Sequence, residues 1–245
     1  MRGKGINVAS AEPGAKPLPK PYLIRTALDA MLADLAEGDP VPAERELAVR
    51  FGVARETVRQ ALHELLVAGR IERRGRGTVV SRPKLTQPLS LKSYTEGAVA
   101  MGRTPGRLLV TWETIDATTE LASALDVSIG DAVMHLERVL LADDQRIGLE
   151  STYLPSARFG GLKTTFDPVT SLYAAIRAGG VEFGSATERI ETALASPREA
   201  ALLESTTAMP MLLLNRRSLD TEGVPIEVVR ALYRGDRVAF ETLLT

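Results

Sequence analysis

The chain has 245 residues, enough for one large domain or two ordinary ones, each able to bury a core. Its 44% hydrophobic and 25% charged residues are typical of soluble globular proteins, and the absence of cysteine excludes disulfides and thiolate metal sites while permitting a reducing cytoplasm, the expected location. The net charge of −1 hides an asymmetry: residues 15–85 carry 13 Lys+Arg against 9 Asp+Glu, a balance of +4, whereas residues 86–245 carry 15 against 21, a balance of −6.

The first residues, "MRGKGINVASAEPGAKPLPKP", lack the apolar core of a signal peptide, and residues 1–20 read as a disordered tail. No apolar run approaches the roughly 20 residues that span a bilayer, so no membrane partner is expected. From Pro21 to about Glu37, Leu23, Ala27, Ala30, Met31 and Leu35 recur at helical spacing, and Gly38 and Pro40 close the helix. "PAERELAVRF" predicts a short second helix with Leu47, Ala48 and Phe51 inward, and Gly52 a tight turn. A third helix over Arg55–Ala68 carries Val58, Ala61, Leu62, Leu65 and Leu66 on one face; Gly69 ends it. "RIERRGRGTVVSR" then reads as two short strands around glycines, making residues 21–82 a winged helix-turn-helix.

Two prolines and little periodicity in "RPKLTQPLSL" place a linker over residues 83–93. Beyond it "GRLLVTWETI", "AVMHLERVLLAD", "RIGLESTYLP", "ATERIETALA", "MPMLLLNRRSLD" and "VPIEVVRALYR" read as strands. Between them "TTELASALDV", "TSLYAAIRAG" and "SPREAALLEST" have helical spacing. Residues 94–245 are therefore expected to form an α+β domain around an antiparallel sheet.

A helix-turn-helix presents the first residues of its second helix to base edges in the major groove. Here those are Arg55, Glu56, Thr57 and Arg59, with Arg55 and Arg59 stacked on one face opposite the apolar positions. Arg45 opens the preceding helix, where it would meet the sugar-phosphate backbone. Arg73, Arg74 and Arg76 surround Gly75 and Gly77, which allow a wing tip to approach a groove closely. The plainer reading, arginines decorating a solvated helix, does not account for helix, glycine turn, arginine-led helix and basic ribbon occurring together.

"VPAERELAVRFGVARETVRQALHELLVAGRIERRGRGTVV" closely resembles the DNA-binding domain of GntR-family bacterial transcription regulators. The resemblance assigns DNA contact to Arg45, Arg55, Thr57, Arg59 and Gly77, with Arg76 beside the last. Ala43 and Ala54 stand where the family usually has helix-capping serines, a loss of about 1 kcal/mol each. The family's all-helical, metal-binding variants would need several histidines, and only His63 and His135 are present. Instead "LERVLLADDQRIGLESTYLP" and "LNRRSLDTEGVPIEVVRALYRGDRVAF" resemble the UTRA effector-binding domain of the HutC subfamily, related in fold to chorismate lyase.

That resemblance implies a homodimer on pseudo-palindromic double-stranded operator DNA and a small anionic effector: a sugar phosphate, phosphonate, phosphate or carboxylate. It implies no cofactor and no metal. Arg138 matches a basic anion-binding position, Glu150 and Glu227 match ligand-facing carboxylates, Tyr233 a pocket tyrosine, Ser171 a hydroxyl near the anion, and Thr95 a mobile loop at the pocket mouth. A paired-hydrogen-bond guanidinium suits an oxyanion, and carboxylates accept from ligand hydroxyl or amino groups. Sugar-phosphate-binding relatives carry a second arginine two residues after the first; Leu140 stands there, so the pocket is expected to lose one charge. Plainer readings are an Arg138–Glu150 pair across a hairpin, Glu227 on an edge strand, Tyr233, His135, Trp112 and Met209 as core, and Arg216–Arg217 as a solvated patch. A lyase-like enzyme, with Glu150 or Glu227 as general acid and Arg138 as anchor, is the alternative function; no nucleophile or metal site accompanies it.

Overall fold

The computed structural model describes residues 19–243. The tail expected over residues 1–20 therefore lies, up to residue 18, outside the described residues. The elements in chain order are α1 (Lys20–Leu32), α2 (Glu44–Phe51), α3 (Arg55–Val67), β1 (Ile71–Arg74), β2 (Gly77–Val80), β3 (Leu85–Pro88), α4 (Tyr94–Ala100), β4 (Pro105–Asp116), α5 (Thr119–Leu125), β5 (Ala132–Ala142), β6 (Gln145–Pro155), α6 (Ser156–Phe159), α7 (Leu162–Thr165), α8 (Leu172–Ala178), β7 (Phe183–Leu194), α9 (Pro197–Leu202), β8 (Pro210–Asp220), β9 (Pro225–Arg234) and β10 (Val238–Glu241). The chain divides into two units between Arg82 and Pro83.

In the first unit, α1, α2 and α3 bury one apolar cluster that includes Leu28, Leu47, Val58, Leu65 and Ile71. Gly52 closes α2 in the left-handed conformation, φ 64°, which a residue with a Cβ adopts at a cost. The β1–β2 hairpin is anchored from the other side by residues 38–41. Gly38 N–H donates to Val80 at 3.0 Å, Val41 N–H to Thr78 at 2.9 Å, and Val80 N–H to Asp39 at 2.9 Å. β2 is thus the middle of a small three-part ribbon, and the wing is not a lone hairpin, which would be marginal in water.

One face assignment differs from the sequence expectation. The buried stripe of α1 is Ile24, Leu28 and Leu32; Leu23 and Ala27 are half-buried and Ala30 is exposed, while Met31 and Leu35 pack at the margin of the core. Both stripes have helical spacing, and the one carrying larger apolar side chains gains more from burial. The helix also stops at Leu32, short of Glu37.

The second unit is built on a six-stranded antiparallel sheet of order β4-β5-β6-β9-β8-β7. Asp143 and Asp144 make the β5–β6 turn, both with positive φ (49° and 64°), a backbone that aspartate tolerates in tight hairpins. Alternation along β5 puts Met134, Leu136, Arg138, Leu140 and Ala142 on one face. The first two join an apolar cluster with Phe159, Phe166, Leu172 and Ile176; the last two join another with Leu85, Tyr94, Tyr233 and Val238. Arg138 falls between these two clusters. On the opposite face, α5 contributes Ala122 and Leu125 to a smaller cluster with Val133.

The segment 83–93, expected to be a linker, instead contains β3, which pairs in parallel with β10 in the register Val238↔Leu85 to Glu241↔Pro88. Leu85 is fully buried. Pro88 ends the strand, where a missing N–H is tolerated. The pairing partner lies some 150 residues further along, so nothing local announces it.

Candidate functional site

Two groups of side chains carry chemistry, one in each unit. In the first unit Arg45, Arg55, Arg59 and Arg76 are all exposed, as is Gly77, and Thr57 is half-buried on the first turn of α3. Alanines at the N-caps of α2 and α3 leave their first N–H groups without a side-chain acceptor. Arg45, Arg55 and Arg76 form no ion pair within the described residues, so their charge is available to a polyanion. Arg59 differs: its guanidinium pairs with Glu56 at 2.7 Å and Glu44 at 3.5 Å, bridging α3 to α2. Gly75 forms the wing tip with φ 58°. Arg73 donates to Thr78 Oγ1 at 2.9 Å and Arg74 to Glu72 at 3.0 Å, which orders the hairpin behind the tip.

In the second unit a pocket opens on the sheet face between the two apolar clusters. Its floor comes from five adjacent strands: Arg107 on β4, Arg138 on β5, Glu150 and Thr152 on β6, Glu227 and Tyr233 on β9, and Arg216 on β8. Its walls come from Gln87 on β3, Ser93 and Tyr94 at the start of α4, Ser171 and Tyr173 at the start of α8, and Phe240 on β10. Arg138, Glu150, Ser171, Glu227 and Tyr233 are thus brought together. Thr95 lies just behind, accepting a hydrogen bond from Arg107 Nη2 at 2.6 Å.

Arg138 is almost wholly buried and donates to Glu150 Oε1 at 2.5 Å, its direct cross-strand partner, and to the carbonyls of Pro168 and Thr170. The cross-hairpin pair and the pocket position are therefore both true of these residues. Ser171 caps α8, accepting from Ala174 N–H at 3.3 Å. Glu227 sits on a central strand, not an edge, and is fully buried. Its Oε1 accepts from Tyr173 and from Ser218 Oγ (3.0 Å), while Oε2 has no partner. Burial pushes its pKa up to about 7, against the pull of the Tyr173 hydrogen bond. The Tyr233 ring lies over Gly148, directly opposite it on β6; a Cβ there would come within 2.8 Å of Tyr233 Cδ1.

Two expectations need correction. Thr95 is in the first turn of α4, not in a loop: Ser93 and Glu96 form a reciprocal capping box that nucleates the helix. Arg216 is no solvated patch; it pairs with Glu188 at 2.7 Å and donates to Tyr173 Oη at 3.0 Å. Although burial opposes its charge, Tyr173 and Glu188 beside it hold its pKa above the ordinary value. Leu140 is buried as an apolar residue, and the strand register places Arg107, a residue the sequence did not single out, directly opposite it. Among the residues expected to be core, Met209 is buried, and Trp112 is half-buried against Phe166. His135 stacks on Tyr153 and meets Glu113 at 3.2 Å. No group of three or more His, Asp or Glu among the described residues could hold a metal ion, and no described helix is long and apolar enough to cross a membrane.

A winged helix-turn-helix with unpaired arginines, followed in the chain by an α+β domain that encloses a charged pocket, is the build of a DNA-binding regulator. Residues 24–80 match the profile of "Bacterial regulatory proteins, gntR family" and residues 100–239 that of the "UTRA domain". The chain is 53% identical to the HTH-type transcriptional repressor PhnF of Mycolicibacterium smegmatis, over 94% of this chain and 95% of that protein. It is 36% identical to the HTH-type transcriptional repressor NagR of Bacillus subtilis, over 91% of this chain and 94% of that protein. The crystal structure of PhnF from Mycobacterium smegmatis superposes with a TM-score of 0.68 at 54% identity, covering 91% of this chain and 99% of that one. The chain belongs to the GntR family of bacterial transcription regulators, in the HutC subfamily that carries a UTRA domain. It is a transcriptional repressor by type, and these relatives lend no support to the lyase alternative.

Proposed function

We propose that the protein is a homodimeric repressor that holds a pseudo-palindromic operator and releases it when a small oxyanion occupies the UTRA pocket. Arg55 and Thr57 would read base edges, Arg45 and Arg76 would meet backbone and groove, and Arg59 would join them on exchanging Glu56 for phosphate. The observation that carries the effector reading is the pair of buried, unpartnered Nε–H donors on Arg107 and Arg138, both on the pocket floor. Unsatisfied buried donors on cations are costly, and a ligand oxyanion satisfies them with strong charge-assisted bonds. The unpartnered Glu227 Oε2 gives the same ligand a place for a hydroxyl or amino group. Coupling requires the effector to bind the released state more tightly than the DNA-bound state, and that ratio sets the extent of release.

A thermal-shift screen of the full chain against phosphate, phosphonates, small carboxylates and sugar phosphates tests this. A ligand at a hundredfold its Kd stabilises by about 2.7 kcal/mol, a shift of several degrees. A compound that raises Tm and also dissociates the operator complex supports the proposal. A panel in which no anion does either contradicts it.

A further inference from the structure

Arg107 was invisible to sequence reasoning, yet it holds the least compensated charge of the pocket floor. Its Nη2 is tied to Thr95 Oγ1 and its guanidinium lies 5.5 Å from the Tyr94 ring centre, which fixes its direction. Its Nε is buried without a partner, and so is that of Arg138. Burial first, and then the neighbouring Arg138 charge, lower its pKa, so both the dry surroundings and the second guanidinium oppose its charge. The carboxylate nearest in effect is Glu150, already engaged by Arg138 at 2.5 Å. Arg107 and Arg138 therefore share Glu150 as the carboxylate that offsets them, with Gln87 Nε2 a third unpartnered donor among the residues lining the pocket. Resting on the effector reading above, we infer that Arg107 is a ligand-binding residue that, with Arg138, grips a tetrahedral oxyanion between β4 and β5. Unpartnered donors on three different elements, β3, β4 and β5, can serve the several acceptor oxygens of a phosphate or phosphonate, whereas a carboxylate offers a planar pair.

Calorimetric titration of the full chain with inorganic phosphate, run beside the unliganded Tm, tests the assignment. R107Q is expected to weaken phosphate binding by about tenfold or more, the loss of a charge-assisted contact. Its unliganded Tm should not fall, because a repelling charge is removed. R107K, which keeps the charge but not the Nε–H, should lose affinity severalfold. Wild-type phosphate affinity in R107Q, whether or not its Tm falls, overturns the inference. R138Q separates the two levels. If it loses binding while R107Q keeps it, only Arg107's role fails. If both keep it, the pocket reading fails as well; a wild type that binds no phosphate overturns the inference alone, and the pocket reading then rests on the anion screen.

Discussion

Replacing Glu227 by glutamine should change the pH dependence of folding in a defined window. The carboxyl is fully buried, and burial raises its pKa from 4.5 to about 7. Between those values the folded state holds a proton that the unfolded state has released, so wild-type stability falls as pH rises. Below the lower value both states are protonated and the group contributes no difference; above about 7 both are ionised and the loss is complete. The difference of roughly 2.5 pH units corresponds to about 3 kcal/mol at 1.36 kcal/mol per unit. E227Q carries no titrating group, so its stability relative to wild type should rise by about that amount between pH 4.5 and 8. For a domain of this size that is a relative Tm gain of roughly 6–12 °C. Urea melts of both proteins at half-unit pH steps measure the difference directly. The glutamine amide has its own hydrogen-bonding cost, but that offset is the same at every pH and drops out of the slope. Parallel stability curves from pH 4.5 to 8 would refute the reasoning.

Other consequences follow from the same geometry. R55A removes an exposed, unpaired cation, so operator affinity in gel-shift assays should fall about tenfold or more with Tm unchanged; undiminished affinity at physiological salt would remove Arg55 from the interface. A54S gives α3 the side-chain acceptor it lacks and should stabilise the first unit by about 1 kcal/mol, seen as a higher urea midpoint. G148A places a methyl carbon against the Tyr233 ring, so it should tilt that ring and weaken anion binding, read by the same titration, while DNA binding persists.

Much of the architecture was legible because it is local. The Gly52 turn, the apolar face of α3 and the Asp-Asp turn of the β5–β6 hairpin each follow from residues within a few positions of one another. The helix Tyr94–Ala100 was equally legible, since Ser93 and Glu96 at its start spell a capping-box signature; the family resemblance led instead to a loop. What stayed hidden depends on distant chain. β3 exists because β10 pairs with it, and Leu85 alone does not announce a partner near residue 238. Arg138, Glu150 and Glu227 were reachable through the resemblance, whereas nothing local set Arg107 apart and Arg216 read as part of a solvated patch. Only the strand order, which sets Arg107 against Leu140 and Arg216 beside the Tyr173–Glu227 pair, turns them toward the pocket. The α1 stripe failed for a different reason: its apolar residues are dense enough to offer two helical faces, and side-chain size selected between them.

The central claim is that a pocket in the second unit governs DNA binding by the first. The most direct measurement is operator occupancy of wild type and R138A, by fluorescence anisotropy, as an anion found in the thermal screen is added. The account predicts that both proteins bind operator equally without anion, and that only the wild type is released at concentrations near its Kd. Release of R138A at the same anion concentration, or wild-type occupancy that ignores a ligand bound in the pocket, would contradict it.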